Sequence, residues 1–282
     1  MRYVTVLGET GPAPAVVTGE KLLTYERLTR DTGRQLPSSL LATVLDGDLS
    51  VRRAYGAWLE RFDRDRLPDA AAARFTRPFR PPGKIWGIGL NYSDHARDLD
   101  EEVPPAPASF LRPCSSAIGE GDTISLPSAS QRVTAEAELA VIFGRRTRNV
   151  EADAALGAVF GYTTVLDMTA EDILRVNSRF LTRAKSFDGF FSFGPVIVTP
   201  DEIADVGALR VRIEVNGTPG PSNLVRNMTY GPAELIAFHS EGMTWEPGDI
   251  LSTGTPGAVP IASGDAITCT VDGVGTLRNT VA

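Results

Sequence analysis

Apolar and polar positions change their rhythm near residue 84 of this chain. Before it, RYVTVL and APAVVTG have strand character with turn residues between them. KLLTYERLTR, SSLLATVLDG and VRRAYGAWLERFDRDR follow, with apolar residues at the spacing of a helix face. Residues 67–83, LPDAAAARFTRPFRPPG, are rich in proline and alanine and read as a linker or domain boundary. From Lys84 strands dominate: KIWGIGL, SFLRP, AVIFG, GYTTVLDM, PVIVT, LRVRIEVNG, DILSTGTP, DAITCTVDG and VGTLRNTVA, divided by Gly, Pro, Asn and Asp turns. Helical spacing returns only in EADAALGAV, EDILRVNSRF and GPAELIAFHSEG. The pattern predicts an α+β, mainly β protein: a small N-terminal α+β domain over residues 1–75, and a β-rich domain over 76–282.

One strand breaks its own pattern. In VTAEAELAVIFG (133–144), Glu136 and Glu138 stand two apart in an otherwise apolar run, so both carboxylates point to one face of the sheet. Either they face water at a strand edge, or they bind a hard divalent cation whose charge lets both stay ionised. Asp167, ending GYTTVLDM, is a third carboxylate and is open to two readings, a helix cap or a further ligand. In NYSDHARD, His95 and Asp98 lie one helical turn apart, the spacing of an imidazole held by a carboxylate as a general base; a surface histidine in a polar loop fits as well. The acidic, proline-rich LDEEVPPAPASF that follows has the texture of a loop over a site. Lys185 and Asp188 sit in TRAKSFDGFFSFGP, and a lysine among so many phenylalanines is expected to face a pocket and meet an anion. The turn Thr253-Gly254-Thr255-Pro256 offers hydroxyls and backbone N–H groups to a carboxylate or carbonyl oxygen.

Composition narrows the field. A net charge of −7 argues against nucleic acid as partner, no apolar run is long enough to span a membrane, and the N-terminus lacks the features of a secretion signal. Cys114 and Cys269 form no C-x-x-C pair and are expected to be free thiols in a reducing cytoplasm. With only two histidines, a zinc site built from His and Cys is excluded more readily than one built from carboxylates. GIGLNY has Tyr92 where a dinucleotide fingerprint needs glycine, and no G-x-S-x-G elbow occurs.

The order GIGLNYSDHA, FLRPCSSAIGEGD, EAELAVIFGRRTRNV, GYTTVLDMTAEDI, KSFDGFFSFGP, EPGDILSTGTP and GVGTLRN resembles the fumarylacetoacetate hydrolase superfamily over roughly residues 84–282. The resemblance implies a β-roll or sandwich catalytic domain, a homodimer, and a divalent cation, Mg²⁺ foremost with Mn²⁺ or Ca²⁺ as alternatives. By position, Glu136, Glu138 and Asp167 match the metal ligands, His95 and Asp98 the catalytic dyad, and Lys185 and Thr255 substrate contacts. The chain departs from the family at Asp98 (usually glutamate) and at Ala135 (commonly tyrosine). It departs again at Glu171 and Leu174, which replace an arginine and a glutamine near the substrate in relatives. The implied activity is metal-dependent carbon–carbon hydrolysis of a small acylpyruvate-like 2-oxo acid or 1,3-dicarbonyl compound. Decarboxylation, tautomerisation, isomerisation or hydration of a related 2-oxo acid are the alternatives, and a non-catalytic ligand-binding member is a further one.

Overall fold

The computed structural model describes residues 1–93 and 104–282. His95 and Asp98 therefore lie outside the described residues. The N-terminal strands β1 (Arg2–Gly8), β2 (Gly11–Thr18) and β3 (Lys21–Thr24) form a meander beside helices α1 (Tyr25–Thr32), α2 (Leu40–Asp46) and α3 (Leu49–Leu59). The helical reading of KLLTYERLTR holds only from Tyr25. Leu22 and Leu23 are buried in the meander as strand, and Thr24 caps α1 by accepting from the Arg27 amide. In segment 67–83, Phe75–Thr76 pairs with β1.

The β-rich part contributes β4 (Ile85–Gly89), β5 (Ala108–Arg112), β6 (Val133–Phe143), β7 (Val159–Ala170), β8 (Phe191–Phe193), β9 (Val196–Val198), β10 (Arg210–Val215), β11 (Thr218–Leu224), β12 (Ile250–Ser252), β13 (Ala258–Ile261), β14 (Ala266–Val271) and β15 (Gly275–Val281). Short helices α4 (Ala152–Ala155), α5 (Glu171–Val176) and α6 (Leu181–Lys185) and the longer α7 (Pro232–Gly242) connect them. Among the described residues one large mixed sheet runs β3-β2-β1-β9-β7-β6-β12-β4-β5, so the N-terminal meander continues it. A second sheet runs β11-β10-β14-β15, ending on Thr123–Ile124. The fold is α+β and mainly β, as its residue pattern predicts. Cys114 and Cys269 are both free thiols. Among the described residues no helix is long and apolar enough to cross a membrane.

Alternation along β6 and β7 decides where a site can form. On β6 the odd residues Val133, Ala135, Ala137, Leu139, Val141 and Phe143 join the core shared with the second sheet. The even residues Ala140 and Ile142 pack instead with Tyr3, Leu23, Leu28 and Trp58 of the N-terminal unit. Both faces are thus apolar at this end, which accounts for the continuous AVIF run. Glu136 and Glu138 lie on the even face, on the part of β6 past that cover.

Candidate metal centre and active site

The long β6–β7 ladder sets Glu136 opposite Asp167 and Glu138 opposite Val165. Directly opposed residues on one face have neighbouring Cβ atoms, and their diagonal neighbours stay within side-chain reach. The three carboxylates therefore converge, each with a ligand oxygen within 4.8 Å of the others. All three are buried, Asp167 completely, which rules out a solvated strand edge. Asp167 is also not a helix cap: it lies inside β7, and the residue before α5 is Ala170.

Two cations enter the cluster. Lys185, buried at the end of α6, donates to Glu136 Oε2 at 2.9 Å and to Asp167 Oδ1 at 2.8 Å. Arg112, the last residue of β5, donates through Nη2 to the same Asp167 Oδ1 and, at 3.1 Å, to the Met168 carbonyl. Hydroxyls and an amide complete the frame. Thr169 Oγ1 donates to Glu136 Oε1 at 2.8 Å, Ser252 Oγ to Glu138 Oε2 at 2.5 Å, and the Gly254 amide to the same oxygen at 2.9 Å.

The Gly254 contact follows from how the chain crosses β6. β12 pairs with residues 140–142 and β13 with residues 133–136, so residues 253–257 arch over the interval that holds Glu138. Gly254 takes φ +99, and a Cβ there would stand 2.8 Å from the Asn91 Cβ, so glycine is required. Asn91 braces the arch by donating to the Thr253 carbonyl at 2.7 Å.

Electrostatics distinguish the members. Burial first, then the charges of Asp167 and Glu136, push Glu138 up to about 8, against the opposing pull of Lys185 and Ser252. Burial also raises Asp167, with Glu136 adding to it, while Arg112 and Lys185 pull it down. Burial pulls the Lys185 ammonium down, but Asp167 and Glu136 outweigh it and leave its pKa raised. The Tyr92 hydroxyl is buried without a hydrogen-bond partner among the described residues, and burial and the nearby Glu138 raise its pKa.

The donor set fits a hard divalent cation. Three buried carboxylates share the centre with two protein cations, and a dication supplies the charge that lets all three ionise together. Among the described residues nothing donates to Asp167 Oδ2, which is buried, and this leaves an oxygen for a ligand. Oxygen donors alone suit Mg²⁺, Mn²⁺ or Ca²⁺.

The other residues singled out from sequence are placed as follows. Thr255 is buried and its hydroxyl donates within the arch to the Gly257 carbonyl at 2.8 Å, while Gly254 spends its amide on Glu138. Glu171 is ion-paired through both oxygens, to Arg132 at 2.6 Å and Arg175 at 2.5 Å. Leu174 packs against the main core, and Asp188 is exposed in the turn after α6, apart from the carboxylate cluster. Arg112, Thr169 and Ser252 were not singled out from sequence.

The family model described as fumarylacetoacetate (FAA) hydrolase C-terminal matches residues 84–282. The human mitochondrial oxaloacetate tautomerase FAHD2A is 33% identical over 258 residues, covering 87% of this chain and 80% of that protein. The crystal structure of maleylpyruvate hydrolase from Sphingobium sp. SYK-6, in complex with manganese(II) and pyruvate, aligns at 30% identity and TM-score 0.81, covering 100% of this chain and 99% of that one. The crystal structure of 5-carboxymethyl-2-hydroxymuconate delta-isomerase from Mycobacterium smegmatis aligns at 29% identity and TM-score 0.77, covering 100% and 98%.

Proposed function

The chain belongs to the fumarylacetoacetate hydrolase family, and from that premise we propose that it is a divalent-metal-dependent enzyme hydrolysing a carbon–carbon bond of a small acylpyruvate-like 2-oxo acid or 1,3-dicarbonyl compound. The carrying observation is the buried convergence of Glu136, Glu138 and Asp167, with Asp167 Oδ2 unpartnered among the described residues. In this reading the three carboxylates hold Mg²⁺, or Mn²⁺ or Ca²⁺ in its place. The cation supplies a Lewis acid and a template for the substrate's carboxylate and adjacent carbonyl.

The chain's own residues do the rest. Lys185 keeps its ammonium charged among the carboxylates and stabilises the negative charge that develops on the substrate as the carbon–carbon bond breaks. Ser252 and Gly254 orient Glu138, and Thr169 orients Glu136. His95, paired with Asp98 by sequence spacing alone, would be the general base that takes a proton from water. A homodimer belongs to the same reading.

A second reading is tautomerisation of an oxo acid, which uses the same charge stabilisation without attack by water. The likeness to a tautomerase over 87% of this chain favours it. The two are separated by assaying acylpyruvate cleavage and oxaloacetate keto–enol conversion with Mg²⁺, before and after chelation. Turnover is expected to stop on chelation, to return with metal, and to fall about a hundredfold or more in Lys185→Met. Undiminished turnover in chelator, or in Lys185→Met, contradicts the assignment.

A further inference from the structure

The two oxygens of Asp167 are unequal. Oδ1 accepts from two charged donors, Lys185 Nζ and Arg112 Nη2, while Oδ2, buried, accepts from none among the described residues. Two charged donors occupy the lone pairs of Oδ1 and turn positive charge toward anything that approaches it. Arg112 is held firmly in that task. Its side chain has no solvent exposure, and its Cζ lies 5.4 Å from the Phe110 ring centroid and 5.7 Å from that of Phe191. Its Nε and Nη1 are buried without partners among the described residues, so this arginine is retained at a cost in desolvation.

Glu138 is arranged in the same way, with Oε2 accepting from both Ser252 Oγ and the Gly254 amide. Resting on the metal-centre reading above, we propose that Arg112 is a positioning residue that limits Asp167 to one donor oxygen and so makes the centre select a small six-coordinate cation, Mg²⁺ or Mn²⁺, over Ca²⁺. The chemistry is one of ligand count. Ca²⁺ takes six to eight oxygens and gains from bidentate carboxylates, whereas Mg²⁺ and the other small octahedral cations are satisfied by single oxygens and water. Without Arg112, Lys185 alone covers Oδ1, and a larger cation gains a second oxygen from Asp167.

The test is calorimetric titration of the chelator-treated full chain with Mn²⁺ and with Ca²⁺ separately, for wild type, Arg112→Met and Arg112→Lys. Wild type is expected to bind Mn²⁺ at least about tenfold more tightly than Ca²⁺, a preference that falls about tenfold in Arg112→Met, mainly through tighter Ca²⁺, and returns to within about threefold in Arg112→Lys. A purely structural arginine would weaken both cations together and leave their ratio unmoved. An unchanged ratio in folded Arg112→Met overturns the inference while leaving the metal centre standing. Binding of neither cation by wild type overturns the metal-centre reading and this inference with it. Should Arg112→Met fail to fold, a crystal structure of wild type loaded with Ca²⁺ decides: Asp167 bound through Oδ2 alone upholds the inference, and Asp167 bound through both oxygens overturns it.

Discussion

Ser252 is a small residue with a large expected effect. Its hydroxyl and the Gly254 amide are the donors that turn Glu138 into the cluster, and Ser252 is one of the influences holding that carboxyl's pKa down. Ser252→Ala leaves Glu138 buried with one donor fewer, which makes the carboxylate harder to ionise and freer to rotate. Mn²⁺ affinity, measured by calorimetry, should fall by about ten- to a hundredfold, the usual cost of removing a group that orients a ligand. An affinity equal to wild type would show that Glu138 is oriented without its hydroxyl partner. At this scale the sequence was only half legible. Period-two spacing was enough to pair Glu136 with Glu138, because a strand fixes the direction of its side chains. Ser252 and Thr169 could not be told from ordinary strand hydroxyls. Arg112 was hidden because its strand carries Leu111 outward, at 47% exposure, so the apolar residues do not mark the buried face.

Among the elements, α7 carries a group whose titration bears on stability. His239 stands in its last turn, where the helix dipole favours a cation, yet burial against Trp86 and Phe238 wins and lowers its pKa to about 4. A folded-state value below the unfolded one means the fold prefers the neutral ring. The contribution is full above about pH 6.5, where the ring is neutral in both states, and is lost as pH falls toward about 4, where the unfolded chain takes the proton first. Denaturant melts from pH 7 to pH 4 should show wild type losing up to about 3 kcal/mol more than His239→Gln. Equal losses would mean that the ring is not buried in its neutral form. The strands β6 and β7 were legible from pattern, and so was α7, because each has enough residues to display one period. The short elements were not. β3 lay inside an apparent helical stretch because Leu22 and Leu23 fit either period. β11, TPGPSNL, carries two prolines and a glycine, and pairing with β10 overrides its weak propensity.

For the whole molecule, the N-terminal unit is bound into the sheet that carries the site. β1 pairs with β9, and Tyr3, Leu23, Leu28 and Trp58 share a buried cluster with Ile85, Ala140, Ile142, Val165, Phe191 and Phe193. Among these, Phe191 flanks Arg112 and Val165 lies opposite Glu138, so the cover and the site are mechanically joined. A chain beginning at residue 76 leaves that apolar face open and should aggregate or melt at least about 10 °C below the full chain in a thermal scan. An unchanged melting temperature would show that residues 76–282 need no cover. The change of texture over residues 67–83 is visible in composition, but composition carries no information about strand pairing, and the joining of the flanking segments into one sheet was therefore hidden. In the proposed function Glu136, Glu138 and Asp167 together hold a divalent cation. The most direct test of this is Mn²⁺ titration calorimetry of the chelator-treated full chain beside Glu138→Gln. One Mn²⁺ per wild-type chain is expected, with an affinity lower by about a hundredfold or more in Glu138→Gln; equal affinity in the two proteins, or no binding by wild type, would overturn the metal centre.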